Sequence, residues 1–120
     1  MPHRWSVLAV AAVAALSTLS APPARAASSA YEMARRCYIA NGYVSHLYAK
    51  RGDTANASLF ETEARQSFDT SFVLGKALHL SHDQVLNDIT ATQNVELPKL
   101  ARDPAYLTEI AKACKAVDLM

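Results

Sequence analysis

The chain has 120 residues, with 12 Lys and Arg against 11 Asp and Glu for a formal charge of +1, and two cysteines. Near-neutral balance with both signs interspersed argues against nucleic acid, which calls for a basic stripe, and against an anionic membrane surface. The length allows one domain with one modest core.

Residues 1–26 have the layout of a secretory signal peptide: a short basic start (His3, Arg4), an apolar run from Val7 to Leu16, and a small-residue site at Ala24-Arg25-Ala26. The run is broken by Ser17, Thr18, Ser20, Pro22 and Pro23, short of the roughly 20 residues a membrane span needs. The expected product is therefore a single domain, 27–120, released into the periplasm or secreted, with no membrane insertion after cleavage. Cutting there leaves 94 of the 120 residues and removes Arg4 and Arg25 with no acidic residue, which takes the formal charge from +1 to −1.

Ala30 to Arg51 predicts the first helix, with Ser28 and Ser29 as candidate N-caps and Gly52 as the residue that ends it. Met33, Cys37, Ala40, Val44 and Leu47 recur at helical spacing and form one side, expected to face the core. Tyr31, Arg35, Tyr38, Gly42 and His46 lie about half a turn away at roughly 100° per residue. Four of the five tyrosines fall in this helix, so its second side is either a further packing surface or a partner-binding surface. Tyrosine and arginine dominate binding hot spots, because rigid rings and a planar cation gain much on desolvation at little entropic cost. Tyr31, Arg35, Tyr38 and His46 are the candidate partner-binding residues. In the packing alternative, the tyrosines belong to the core and only their hydroxyls reach the surface.

Arg51-Gly52-Asp53 matches the integrin tripeptide in letters, but turn chemistry accounts for all three residues. Asp53 caps a second helix, predicted over Thr54 to Leu78, with Ala57, Phe60, Ala64, Phe68, Ser71, Phe72, Leu74, Gly75 and Leu78 within one arc. Gly75 on that arc would let a neighbouring backbone come close. Asn56-Ala57-Ser58 fits a glycosylation sequon, poorly placed in a first helical turn. Ser81 with Gln84 is a capping-box signature opening a third helix, whose Val85, Leu86, Ile89 and Thr92 should face inward. Pro98 disfavours helical geometry at Leu97, so this helix should end or kink near Val95 or Glu96, leaving Leu100 on a short turn. Asp103-Pro104 starts a last helix, with Leu107, Ile110, Ala111, Cys114 and Val117 as its stripe.

With no period-two alternation and no hairpin turn, the fold class is all-α, a small four-helix bundle-like domain. In an oxidising compartment the two cysteines should pair, Cys37 with Cys114, joining the first and last helices. Closing a loop of about 77 residues is worth about 4 kcal/mol at most on the chain-entropy model. No Cys-x-x-Cys motif points to redox catalysis.

Sequence motifs for chemistry are few. His79, His82 and Asp83 lie close together, yet two imidazoles and a carboxylate do not complete a tetrahedral site, and no metal is expected. The three glycines are widely separated, so no phosphate loop forms, and neither a haem-attachment motif nor a serine-nucleophile motif is present. Glu61 and Glu63 point to different sides of their helix. The expectation is a protein that is not an enzyme and takes no cofactor.

The layout, one cysteine in the first helix and one in the last of an exported helical chain, resembles the small disulfide-linked all-helical exported proteins of proteobacteria. Immunity proteins against toxins delivered into the periplasm belong to that class, as does an acid-stress chaperone of similar size with one disulfide. The resemblance covers architecture and carries over no functional residue. It implies a periplasmic or secreted protein-binding module, such as an inhibitor or immunity protein acting by occlusion, whose partner is another protein or a second copy of itself. The alternative is an acid-stress or general periplasmic chaperone; an enzyme ranks third.

Overall fold

The computed structural model describes residues 23–120, with side chains from Ala27 onward; the expected leader and its cut site lie outside the described side chains. Four helices follow one another: α1 (Pro23–Lys50), α2 (Thr54–Ala77), α3 (His82–Arg102) and α4 (Pro104–Ala116). α1 begins earlier than its serines suggested, and Ser28 and Ser29 lie inside it. Proline is pre-set for a first helical position, and the alanine-rich stretch after it favours continuation over a cap.

The remaining boundaries follow local chemistry. Asp53 caps α2 by accepting from the Asn56 backbone N–H at 3.1 Å. Ser81 and Gln84 make the reciprocal capping box of α3. Asp103 closes α3 and, accepting from the Ala105 N–H, opens α4. α1, α2 and α4 end in one shared hydrogen-bond device, with Gly52 (φ 76), His79 (φ 62) and Asp118 (φ 58) in the left-handed region. In each, that residue and the next return their N–H groups to the last turn: Asp53 to Tyr48 O, Leu80 to Gly75 O and Leu119 to Cys114 O, at 2.9–3.0 Å.

Helix α1 is the hub. It packs against each of the other three, most extensively against α2, whereas α2 and α4 share no contact among the described residues. Its most buried line runs Tyr31, Ala34, Cys37, Ala40 and Asn41, between the two sides read from the sequence, and Ile39 is buried as well. One apolar cluster joins α1 to Leu100, Ile110, Cys114 and Leu119; a second joins Tyr31 to Val85 and Ile89, with Phe68 and Phe72 against it. Each fully buried branched aliphatic side chain contributes about 1.5–3 kcal/mol. The Cys37–Cys114 disulfide ties α1 to α4 across a separation of 77 residues, and both cysteines are fully buried.

α3 does not end at Val95 or Glu96. It runs through Pro98 to Arg102, and Leu100 is buried on the helix rather than carried on a turn. An interior proline costs about 3 kcal/mol in isolation. Here the residues on both sides of it are fixed by tertiary contacts: Glu96 to Arg36 at 2.7 Å, and Leu97 and Leu100 against the core. Two expected core residues lie outside it. Leu86 is exposed, and so is Val117, which is the C-cap of α4 rather than part of its stripe. Gly75 does allow a close approach, by a side chain rather than a backbone: a Cβ there would lie 2.5 Å from Val85 Cγ2.

Candidate functional site

The second side of α1 is divided by what the other helices cover. In its first half α3 lies against it. The Tyr31 hydroxyl donates to Asp88 Oδ2 at 2.7 Å, and Tyr31 is only 4 % exposed. The Arg35 guanidinium sits 4.4 Å from the centre of the Tyr31 ring and donates through Nη1 to Thr92 Oγ1 at 2.7 Å. One turn on, Arg36 Nε donates to Glu96 Oε1 at 2.7 Å, while the Tyr106 hydroxyl of α4 donates to the other carboxylate oxygen. Asp88, Thr92 and Glu96 follow one another at four-residue steps, so they form one polar row along α3.

Electrostatics follow from that placement. Burial, and then the hydrogen bond to Asp88, push the Tyr31 phenol up to about 12. Burial and Glu96 raise Tyr106 as well. Neither phenol is prepared to lose a proton near neutral pH, so neither is a candidate base.

In its second half the same side of α1 is open. α2 and α3 meet at the end where they are joined, with Val85 over Gly75 and the His82 ring 4.6 Å from that of Phe72. Further along α1, a groove of about 310 Å³ lies between α1 and α3, lined by Tyr38, Ile39, Gly42, Tyr43, His46, Gln93 and Leu97. A second, of about 400 Å³, lies between α1 and α2 beside Ser45, Glu61, Ala64, Arg65 and Phe68, and it shares Tyr38 and Gly42 with the first. Tyr38 is half-buried, its ring 5.2 Å from that of Phe68; Gly42 and His46 are exposed.

The four candidate partner-binding residues therefore do not stay together. Tyr31 and Arg35 are held within the fold, whereas Tyr38 and His46 line the open grooves. Tyr43, Gln93 and Leu97 join them from positions the helical projection of α1 did not mark. Leu97 and Gln93 are one turn apart on α3, a spacing legible only once the helix is known to continue towards Pro98. The buried polar groups Asn41, Ser67 and Glu96 also escaped the sequence reading, whereas buried Ser71 lies on the arc expected of α2. Ser67, Ser71 and Gly75 recur every four residues, a run of small side chains that marks where α1 comes close to α2.

Other motifs resolve into structure. Both Asp53 carboxylate oxygens are taken by Asn56, one by its backbone N–H and one by its side-chain amide, and the carboxyl is held below its ordinary range by those bonds. The same contact occupies the amide of the sequon asparagine. His79 is the left-handed residue ending α2, and His82 stacks on Phe72. Among the described residues, no group of three or more His, Cys, Asp or Glu side chains could hold a metal ion. No helix among them is long and apolar enough to cross a membrane. No family model, curated protein or solved structure matches the chain.

Proposed function

We propose that the protein is an exported binding module, periplasmic or secreted, which occludes a partner protein through the open half of the second side of α1. The observation that carries this reading is the pair of grooves meeting at Tyr38 and Gly42, with a mixed aromatic and polar lining of Tyr38, Tyr43, His46 and Gln93. Grooves of a few hundred Å³ with an apolar floor and a few convergent polar groups are the usual form of a recognition site, and tyrosine-rich helix faces suit protein partners. Export is supported by the leader-like N-terminus together with the disulfide, which persists in oxidising compartments. An inhibitor or immunity protein needs no more than this.

The test is a comparison of wild type with Gly42→Arg, both expressed with their leader in the native host and purified through a tag. A Cβ at Gly42 would meet nothing within 4 Å, so the variant should fold and melt like wild type. Loss of a co-purifying protein in the variant alone supports the site; equal retention in both overturns it. Intact mass should show a chain starting at Ala27, and a product that keeps Trp5 would overturn the export reading.

A second reading, an acid-responsive chaperone, rests on the polar row between α1 and α3. Two of its three acceptors, Asp88 and Glu96, are carboxylates. Losing this row would free α3 from α1 and uncover the apolar cluster that Tyr31 forms with Val85 and Ile89. Lost near-ultraviolet dichroism and dye binding at about pH 3, with helix content kept, would favour this reading. An unchanged fold at that pH would remove it.

A further inference from the structure

The chain has three glycines, and two are explained from within it. Gly52 is left-handed at φ 76, and Gly75 admits Val85, whose Cγ2 would lie 2.5 Å from an added Cβ. Gly42 has neither reason. It lies in the interior of α1 without a positive φ, and an added Cβ would meet nothing within 4 Å. A helix-interior glycine is costly, because it gives the unfolded chain more freedom to lose. Nothing inside the monomer uses the missing side chain; a second molecule approaching the α1 backbone would.

Resting on the reading of this side as a protein-binding surface, we infer that in the absence of another partner it is covered by a second copy of this chain, the two α1 helices crossing antiparallel with Gly42 against Gly42. Three features are self-complementary about that point. Tyr38 and His46 lie four residues to either side of Gly42, about 6 Å each way along the axis. A two-fold axis at Gly42 therefore places each Tyr38 ring over the partner copy's imidazole, and the reverse. Tyr38 also stands between two grooves, so each copy offers both a ridge and a recess to receive it. Charge follows the same symmetry. Glu61 and Arg65 line the α2 side of the surface one turn apart, and the antiparallel copy sets the Glu61 of one molecule against the Arg65 of the other. Within one chain these two side chains pair at 3.0 Å but remain 60 % and 73 % exposed, so they are free to exchange partners. Such an interface uses one patch twice and closes at two copies.

Sedimentation equilibrium of the processed wild-type protein should show a dimer at about 100 µM, dissociating on dilution. Gly42→Leu should weaken the dimer by at least about tenfold without lowering the melting temperature of the monomer. Glu61→Arg and Arg65→Glu should each weaken it, and the double exchange should restore it, because the charge pattern is then reversed but still self-complementary. A wild-type monomer at that concentration overturns the inference, as does a dimer indifferent to Gly42→Leu or one that the double exchange fails to restore. A monomeric wild type that still loses another partner on Gly42→Arg would remove self-pairing and leave the binding surface standing.

Discussion

Two seams run along α1, one with α2 and one with α3, and they are made of different materials. Against α2 the contacts are aromatic and small: Tyr38 on Phe68, Tyr48 stacked 5.6 Å from Phe60, and Ala64, Ser67 and Ser71 letting the backbones approach. Against α3 they are directional: Tyr31 to Asp88, Arg35 to Thr92, Arg36 to Glu96. A seam without charged groups tolerates small shifts and ignores pH. A polar seam fixes register, since a slide of α3 along α1 would part each donor from its acceptors, but it depends on charge state, and each partner left alone is costly. α3 is therefore the helix whose attachment can be altered by solution conditions.

The largest expected effect lies at the covalent link that neither seam replaces. Exchanging both Cys37 and Cys114 for serine should cost about 2–5 kcal/mol, read by urea denaturation. A loss below about 1 kcal/mol would mean that the apolar cluster of Leu100, Ile110 and Leu119, with Tyr106 on Glu96, already holds α4 in place. Glu96→Ala should come next, at about 2–3 kcal/mol: breaking a buried pair costs about 3–5, and Arg36 is partly exposed, which reduces the figure. Replacing Arg36 and Glu96 together by leucine should restore most of that loss, because the pair's value is largely the penalty of leaving one member alone.

Gly75→Ala strikes where both seams meet. Val85 is 1 % exposed and stiff at its branch point, so it cannot swing away from the new methyl, and a loss of about 1–3 kcal/mol is expected in thermal melts. An unchanged melt would show that α2 and α3 can separate freely at their joined end.

Alkaline pH separates the seams without mutation. Tyr31 keeps its proton in the fold to about pH 12, whereas an unfolded phenol ionises near pH 10. Between those values the folded state holds more protons than the unfolded one, so stability falls as pH rises. Tyr106, raised in the same sense, adds to the fall. Melting temperature measured from pH 9 to 12 should drop, and the drop should be smaller in Tyr31→Phe; equal slopes would contradict the hold that burial and Asp88 place on the Tyr31 proton. The smallest effect is a gain: His79→Gly and Asp118→Gly relieve left-handed strain and should each stabilise by about 0.5–1 kcal/mol, with both seams unchanged.

Much of the fold was legible because it is written locally. The caps at Asp53, Ser81 and Asp103 and the turn at Gly52 each depend on a residue type at a fixed offset, while Cys37 with Cys114 is the one pairing that two cysteines allow. Pro98 misled because its cost is local while its compensation is not: Arg36, which holds Glu96, lies 60 residues away in the chain. The candidate site was half legible for the same reason. A helical projection groups Tyr31, Arg35, Tyr38 and His46, but it cannot say that α3 bonds to the first two and leaves a groove beside the last two. Burial of Asn41, whose amide donates to the Leu119 carbonyl at 2.7 Å, could not be read from α1 alone, since its partner is supplied by the segment after α4.

The burial of the disulfide gives the fold an internal clock. Neither sulfur is accessible in the closed structure, so a thiolate in solution can attack only when α4 lifts from α1. At saturating reductant, the rate at which the bond is lost becomes the opening rate of that contact and no longer depends on reductant concentration. Timing the appearance of free thiols would thus measure how often the first and last helices part while the rest of the chain stays folded.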